Sequence, residues 1–153
     1  MAVSLNQNQF ALATLKGTKY SGHECAVMTC QFYSATPSAT IAPGSFVVLS
    51  SQTLAGKTPV VEVGADSEAD YFGVVLTNPM KEAFAVGDRL EVAIIQSVVM
   101  LEASAAIAAG ALVQFDPSTG KCATKASTNT VVARAIEPAA ADGSLFRALI
   151  KVC

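Results

Sequence analysis

The sequence predicts an all-β fold: a small β-barrel or β-sandwich built from two similar halves, with an N-terminal extended arm. Three observations carry that expectation. Short runs rich in Val, Ile, Leu and Phe alternate apolar with polar positions. From residue 41 onward, turn-forming residues separate these runs every several positions. One order of motifs occurs twice along the chain.

The alternation is cleanest in RLEVAII at 89–95. Leu90, Val92 and Ile94 share one face, and Arg89, Glu91 and Ala93 the other. A period of two places such a segment in a strand with one buried face. SLFRALIKV at 144–152 follows the same rule, with Phe146, Ala148, Ile150 and Val152 opposite Arg147 and Lys151. FVVLS, PVVEV, YFGVVLT, SVVMLEA, ALVQF and TVVARAI are further strands by composition.

The alanine-rich run Ala105–Ala109 resembles a helix start, but it is too short to overcome the cost of helix nucleation, and Gly110 interrupts it. ALVQF follows, then Asp116-Pro117-Ser118-Thr119-Gly120, then KCAT. Pro117 presets φ, Asp116 can accept from its own backbone, and Gly120 can take positive φ. The expectation is a hairpin, with at most one helical turn at its entrance.

Ile41-Ala42-Pro43-Gly44-Ser45-Phe46-Val47 parallels Ile107-Ala108-Ala109-Gly110-Ala111-Leu112-Val113. Gly56-Lys57 is matched with Gly120-Lys121, and Gly73-Val74-Val75-Leu76 with Ala133-Arg134-Ala135-Ile136. Gly87-Asp88-Arg89-Leu90 through Ile94 parallels Gly143-Ser144-Leu145-Phe146 through Ile150. Two copies are too few for a solenoid. They suit two β-halves closing over one core.

Residues 1–38 differ, so the expected division is an arm with a first strand over 1–38 and a β-body over 39–153. Leu5, Phe10, Leu12 and Leu15 are apolar without a firm period, and AVMTCQFY at 26–33 reads as one strand. Residues 1–24 are either an arm that orders on a partner or a frayed terminus.

Composition limits the function. The chain has 153 residues, one domain's worth. It is 52% hydrophobic and only 14% charged, against the usual quarter charged. Such a surface suits partial covering by a partner. A net charge of −2 with no basic stripe argues against nucleic acid. No apolar run is long enough to span a bilayer, and the N-terminus lacks the features of a signal peptide. Synthesis in the cytoplasm is expected, with Cys25, Cys30, Cys122 and Cys153 as free thiols.

No catalytic, cofactor or metal site is expected. His23, the single histidine, sits in SGHEC beside Glu24 and Cys25, but neighbouring residues on an extended chain point apart. His23, Cys25 and Cys30 lack a fourth ligand. Asp66, Glu68 and Asp70 in GADSEADYFG fail the calcium-loop pattern, which has Tyr71 and Thr77 where Gly and Glu belong. Glu102 and Glu137 are not brought together by any motif. With ten basic and twelve acidic side chains and one histidine, a role of surface and shape is expected rather than an enzyme.

The order IAPGSFVVLS, GKTPVVEVGADSEADYFGVVL, FAVGDRLEVAI, AAIAAGALVQFD and VVARAIEPAAADGSLFRALI resembles the capsid decoration, or cement, proteins of tailed bacteriophages, over roughly residues 40–152. The resemblance implies a small β-domain on the outside of an icosahedral shell, often a homotrimer, clamping neighbouring copies of the major capsid protein and carrying no catalytic residues. It implies a virion location after synthesis in the host cytoplasm. On this reading Leu5, Phe10, Leu12, Leu15 and Tyr20 of the arm are the candidate capsid contacts. The alternative is a host- or glycan-binding tail or fibre module of a virion.

Overall fold

The computed structural model describes residues 16–19, 26–52 and 58–151. Among these residues all regular structure is strand, as the period-two pattern requires. β1 (Val27–Phe32), β2 (Thr40–Ile41), β3 (Phe46–Leu49), β4 (Val60–Val63), β5 (Gly73–Val75), β6 (Phe84–Ala85) and β7 (Arg89–Ala93) build the first half. β8 (Val98–Glu102), β9 (Leu112–Asp116), β10 (Lys121–Thr124), β11 (Ala133–Ala135) and β12 (Leu145–Ile150) build the second. The run at 105–109 forms no helix.

The first half is a closed barrel in the order β1-β4-β3-β5-β7, with β7 returning to β1. β1, which composition groups with the arm in 1–38, is a wall strand here, parallel to β4 and antiparallel to β7. The second half is a five-stranded sheet ordered β10-β9-β11-β12-β8. An isolated parallel bridge of Ala103 with Cys122 draws its two edges together.

The duplication is carried residue by residue. Val47, Val48 and Leu49 face Val63, Glu62 and Val61; Val113, Gln114 and Phe115 face Thr124, Ala123 and Cys122. Phe46 faces Val74 as Leu112 faces Arg134, and Val75 faces Val92 as Ala135 faces Ala148. These ladders set Val60, rather than Lys57, against Lys121. The pairing of Gly56-Lys57 with Gly120-Lys121 is therefore displaced, although residues 56 and 57 themselves lie outside the described residues.

Loop bonds repeat too. Gly44 N–H donates to Val75 O at 2.7 Å, and Gly110 N–H to Ala135 O at 2.8 Å. Both glycines have φ near +80°, at +77° and +81°, where a side chain is strained. Ala85 N–H is capped by Asp88 Oδ2 at 2.8 Å, and Ala141 N–H by Ser144 Oγ at 3.1 Å. The 116–120 turn forms as expected: Asp116 Oδ1 accepts from Ser118 N–H at 2.9 Å, and Gly120 N–H donates to Asp116 O at 2.9 Å.

The two interiors are sequence-distinct versions of one core. Cys30, Phe32, Ile41, Val47, Val61, Val75, Phe84, Leu90 and Val92 fill the first barrel. Leu101, Ala103, Ile107, Val113, Cys122, Ala135, Ala139, Phe146 and Ala148 hold the same positions in the second. The second core continues outward into Phe46, Tyr71, Val74, Leu76 and Ala93 from the outer wall of the first barrel. Ala93 lies on the same face as Arg89 and Glu91, yet it is fully buried because the second half packs there.

Candidate functional site

Cys30 and Cys122 are free and buried. Burial pushes the Cys30 thiol up to about 11 and the Cys122 thiol up to about 12, so both stay protonated and unreactive near neutrality. Glu102 and Glu137 do not meet as an acid–base pair; each has its own cation. Glu102 takes Lys121 at 3.1 Å and Lys16 at 3.6 Å, and Glu137 takes Arg147 at 2.8 Å. Two bonds from Arg147, side chain and backbone, hold the Glu137 carboxyl below its usual range.

The acidic loop is structural. Asp66 Oδ1 accepts from Glu68 N–H at 2.9 Å, and the Tyr71 hydroxyl donates to Asp66 O at 2.7 Å. Glu68 reaches across to the second half, accepting from the Thr128 hydroxyl at 2.5 Å, while the Thr130 hydroxyl donates to Glu68 O at 3.0 Å. No His/Cys/Asp/Glu group with metal-binding geometry occurs among the described residues. His23 and Cys25 lie outside them, as do all five candidate arm contacts: Leu5, Phe10, Leu12, Leu15 and Tyr20.

The described residues form a closed barrel packed against a second sheet whose edges meet at one bridge, a near-barrel referred to as the second barrel. Phe46, Tyr71 and Phe115 meet at the junction, with ring centroids 5.2–5.9 Å apart in tilted and edge-on arrangements. Such pairs add roughly 0.5–1.5 kcal/mol each beyond area burial. Lys16–Lys19 is a strap over the same junction. Gly17 N–H donates to Met100 O at 2.7 Å, Met100 N–H returns to Thr18 O at 2.9 Å, and Thr77 N–H donates to Gly17 O at 3.0 Å. A Cβ on Gly17 would stand 2.8 Å from both Gly44 N and Pro43 Cβ, so only glycine lets the strap lie this close.

Lys16 then completes the second barrel. In the first barrel, Gln31 N–H donates to Pro59 O at 2.8 Å across the β1–β4 seam. The carbonyl equivalent to that of Pro59 belongs to Gly120, and it accepts from Lys16 Nζ at 2.5 Å. No composition signal in LATLKGTKY marks Lys16 and Gly17 for this role; it depends on where the β8–β10 seam falls.

The described surface holds shallow grooves. One of about 460 Å³ is lined by Val48, Leu49, Glu62, Val63 and Asp70 among others. Leu49 is 55% exposed there.

Comparison with known proteins now decides the family. The model of the phage cement protein family matches residues 29–152, which spans both barrels. The chain belongs to the phage cement protein family. It is a structural protein of the phage virion, as the resemblance in its turn motifs implied. The solved head fiber gp8.5 N base of bacteriophage phi29 is similar in fold, at 17% identity and a TM-score of 0.55. That likeness covers 84% of this cement-family chain and 95% of the phi29 chain. No curated protein matches the sequence.

Proposed function

We propose that this cement-family chain binds the outer surface of a phage head as a homotrimer and stabilises it by clamping neighbouring copies of the major capsid protein. The match to the cement family across both barrels carries the reading. The physics is linkage: a protein that binds the assembled shell better than free subunits stabilises the shell by mass action. Three-fold attachment multiplies a modest per-copy affinity where the geometry lets all copies engage. Two barrels, the core of one continuing onto the outer wall of the other, make a stiff clamp, since close-packed interiors transmit strain rather than absorb it.

The arm, residues 1–24, supplies the second half of the proposal. Leu5, Phe10, Leu12, Leu15 and Tyr20 are its anchors on the capsid. The strap at 16–19 is tied to both barrels, so load on the arm passes into the body at the junction. The chain performs no catalytic step in this role.

Purified heads with and without the protein, compared under heat or low salt, test the clamp. Decorated heads are expected to retain DNA at higher temperature. Equal DNA retention in both removes the clamp. Negative-stain images provide the second measurement: copies over the whole head are expected, and density confined to the tail would favour a tail or fibre module instead.

A further inference from the structure

The two barrels are related by pseudo-symmetry, and inside the chain they join head to tail. Each barrel has an open end and an outer wall. In the second barrel the open end is ringed by Val99, Phe115, Val132 and Ile150, all at most 1% exposed. The outer wall of the first barrel covers it with a cross-strand row: Phe46 opposite Val74, and Val74 opposite Ala93.

Among the described residues, the equivalent surfaces are left uncovered. The ladders match Val99, Phe115, Val132 and Ile150 with Met28, Leu49, Phe72 and Ile94 of the first barrel. Met28 is 36% exposed and Leu49 is 55% exposed, while Phe72 and Ile94 are partly buried. On the outer wall of the second barrel the matching row is Leu112 opposite Arg134, and Arg134 opposite Leu149. Ile136, beside it, is 48% exposed, whereas its equivalent Leu76 in the covered wall is buried. Among the described residues, a mouth carrying Met28 and Leu49 and a wall carrying Leu112, Ile136 and Leu149 around Arg134 thus stand open on one molecule, in the relation already joined once within it.

We infer that two copies of this chain join by the same contact: the outer wall of the second barrel of one copy covers the open end of the first barrel of the next. Charge supports the match. Arg134 stands where the internal wall has Val74, and Glu62 and Asp70 line the groove beside Leu49. Such a contact is heterologous and repeats, so it closes into a ring or runs on as a filament. The inference rests on the trimer reading above and supplies its interface; closure after three copies makes the ring.

Sedimentation of the full chain tests it, using Leu49→Glu for the mouth and Ile136→Glu for the wall. Both side chains are exposed, so folding of each variant is expected and is checked by its thermal transition. Arg134→Glu is a second wall variant. Wild type is expected to sediment as a trimer and each variant alone as a monomer. An equimolar mixture of mouth and wall variants is expected to stop at heterodimers, because each supplies the one surface the other retains. A wall variant that still self-associates, or oligomers unchanged in every variant, overturns this contact and leaves the trimer standing. A monomeric wild type at all concentrations overturns both. Trimers that form by this contact yet fail to bind heads uphold the inference and remove the clamp.

Discussion

The two barrels follow the same path and are finished differently. In the first, β1 lies parallel to β4 and backbone bonds seal the wall. In the second, the equivalent seam keeps one isolated bridge, Ala103 with Cys122, and Lys16 supplies a bond to Gly120 from another part of the chain. The cores trade volume, since Cys30 and Leu90 of the first barrel are Leu101 and Phe146 in the second. Phe32, Phe84 and Val92 of the first barrel are Ala103, Ala139 and Ala148 in the second. The second barrel recovers apolar burial at its open end, where Phe115 replaces Leu49 and meets Phe46 and Tyr71. A repeated topology therefore does not need repeated closure: a ladder, a strap or a neighbour's wall can each satisfy the seam and mouth.

The sharpest way to break this comparison is a pair of substitutions at one equivalent position. Phe115→Ala empties a site 1% exposed and is expected to cost about 3–5 kcal/mol in denaturant unfolding, while Leu49→Ala in the monomer costs under about 1 kcal/mol. Equal costs would mean that the junction is not where the second barrel gains its stability.

A second pair separates the strap from the turn. Gly44 and Gly110 share one backbone geometry, but a Cβ on Gly44 would lie 2.3 Å from Lys16 Cγ and one on Gly110 would meet nothing within 4 Å. Gly110→Ala is expected to lose about 1–2 kcal/mol from the left-handed backbone alone. Gly44→Ala should lose more, through displacement of Lys16. Thermal unfolding of both variants in the Lys16→Ala background sharpens the result, because there the difference should shrink.

Lys16→Met removes the side-chain bond at the second seam while keeping the aliphatic stem. Its expected cost is about 1 kcal/mol, with hydrogen exchange accelerated at the β8–β10 edge rather than in the first barrel.

The smallest effect is in pH. Arg147 holds the Glu137 carboxyl below its unfolded value, so the folded state gains stability above that value and loses it as pH falls through the lower folded one. The pair is partly exposed, which makes the contribution modest. Glu137→Gln is expected to flatten that part of the acid limb of a stability-against-pH curve. The first barrel has Thr77 and Glu91 at the matching positions, so the pair belongs to the second barrel alone.

Much of this fold is legible in the sequence alone. Alternation in RLEVAII and SLFRALIKV placed β7 and β12, and Asp116-Pro117-Ser118-Thr119-Gly120 placed the β9–β10 hairpin, because pleat and turn chemistry act between near neighbours. The doubled motif order identified two halves and, with the turn motifs, the family. The β4–β10 match was displaced because a Gly-Lys pair is a weaker marker of register than a ladder. Nothing in GADSEADYFG marks Glu68 for its tie between the first barrel and Thr128 and Thr130 of the second.

Strands, turns, the duplication and the lack of a metal or nucleophile motif were set by the sequence itself, since each depends on residues a few positions apart. Only the tertiary structure decided that β1 is a wall strand, that Ala93 is buried, that Gly17 must be a glycine, and that the open end at Phe115 is covered while no described residue covers the one at Leu49. Those outcomes come from surfaces meeting across tens of residues, where packing and exclusion of water, rather than local preference, fix which face is buried.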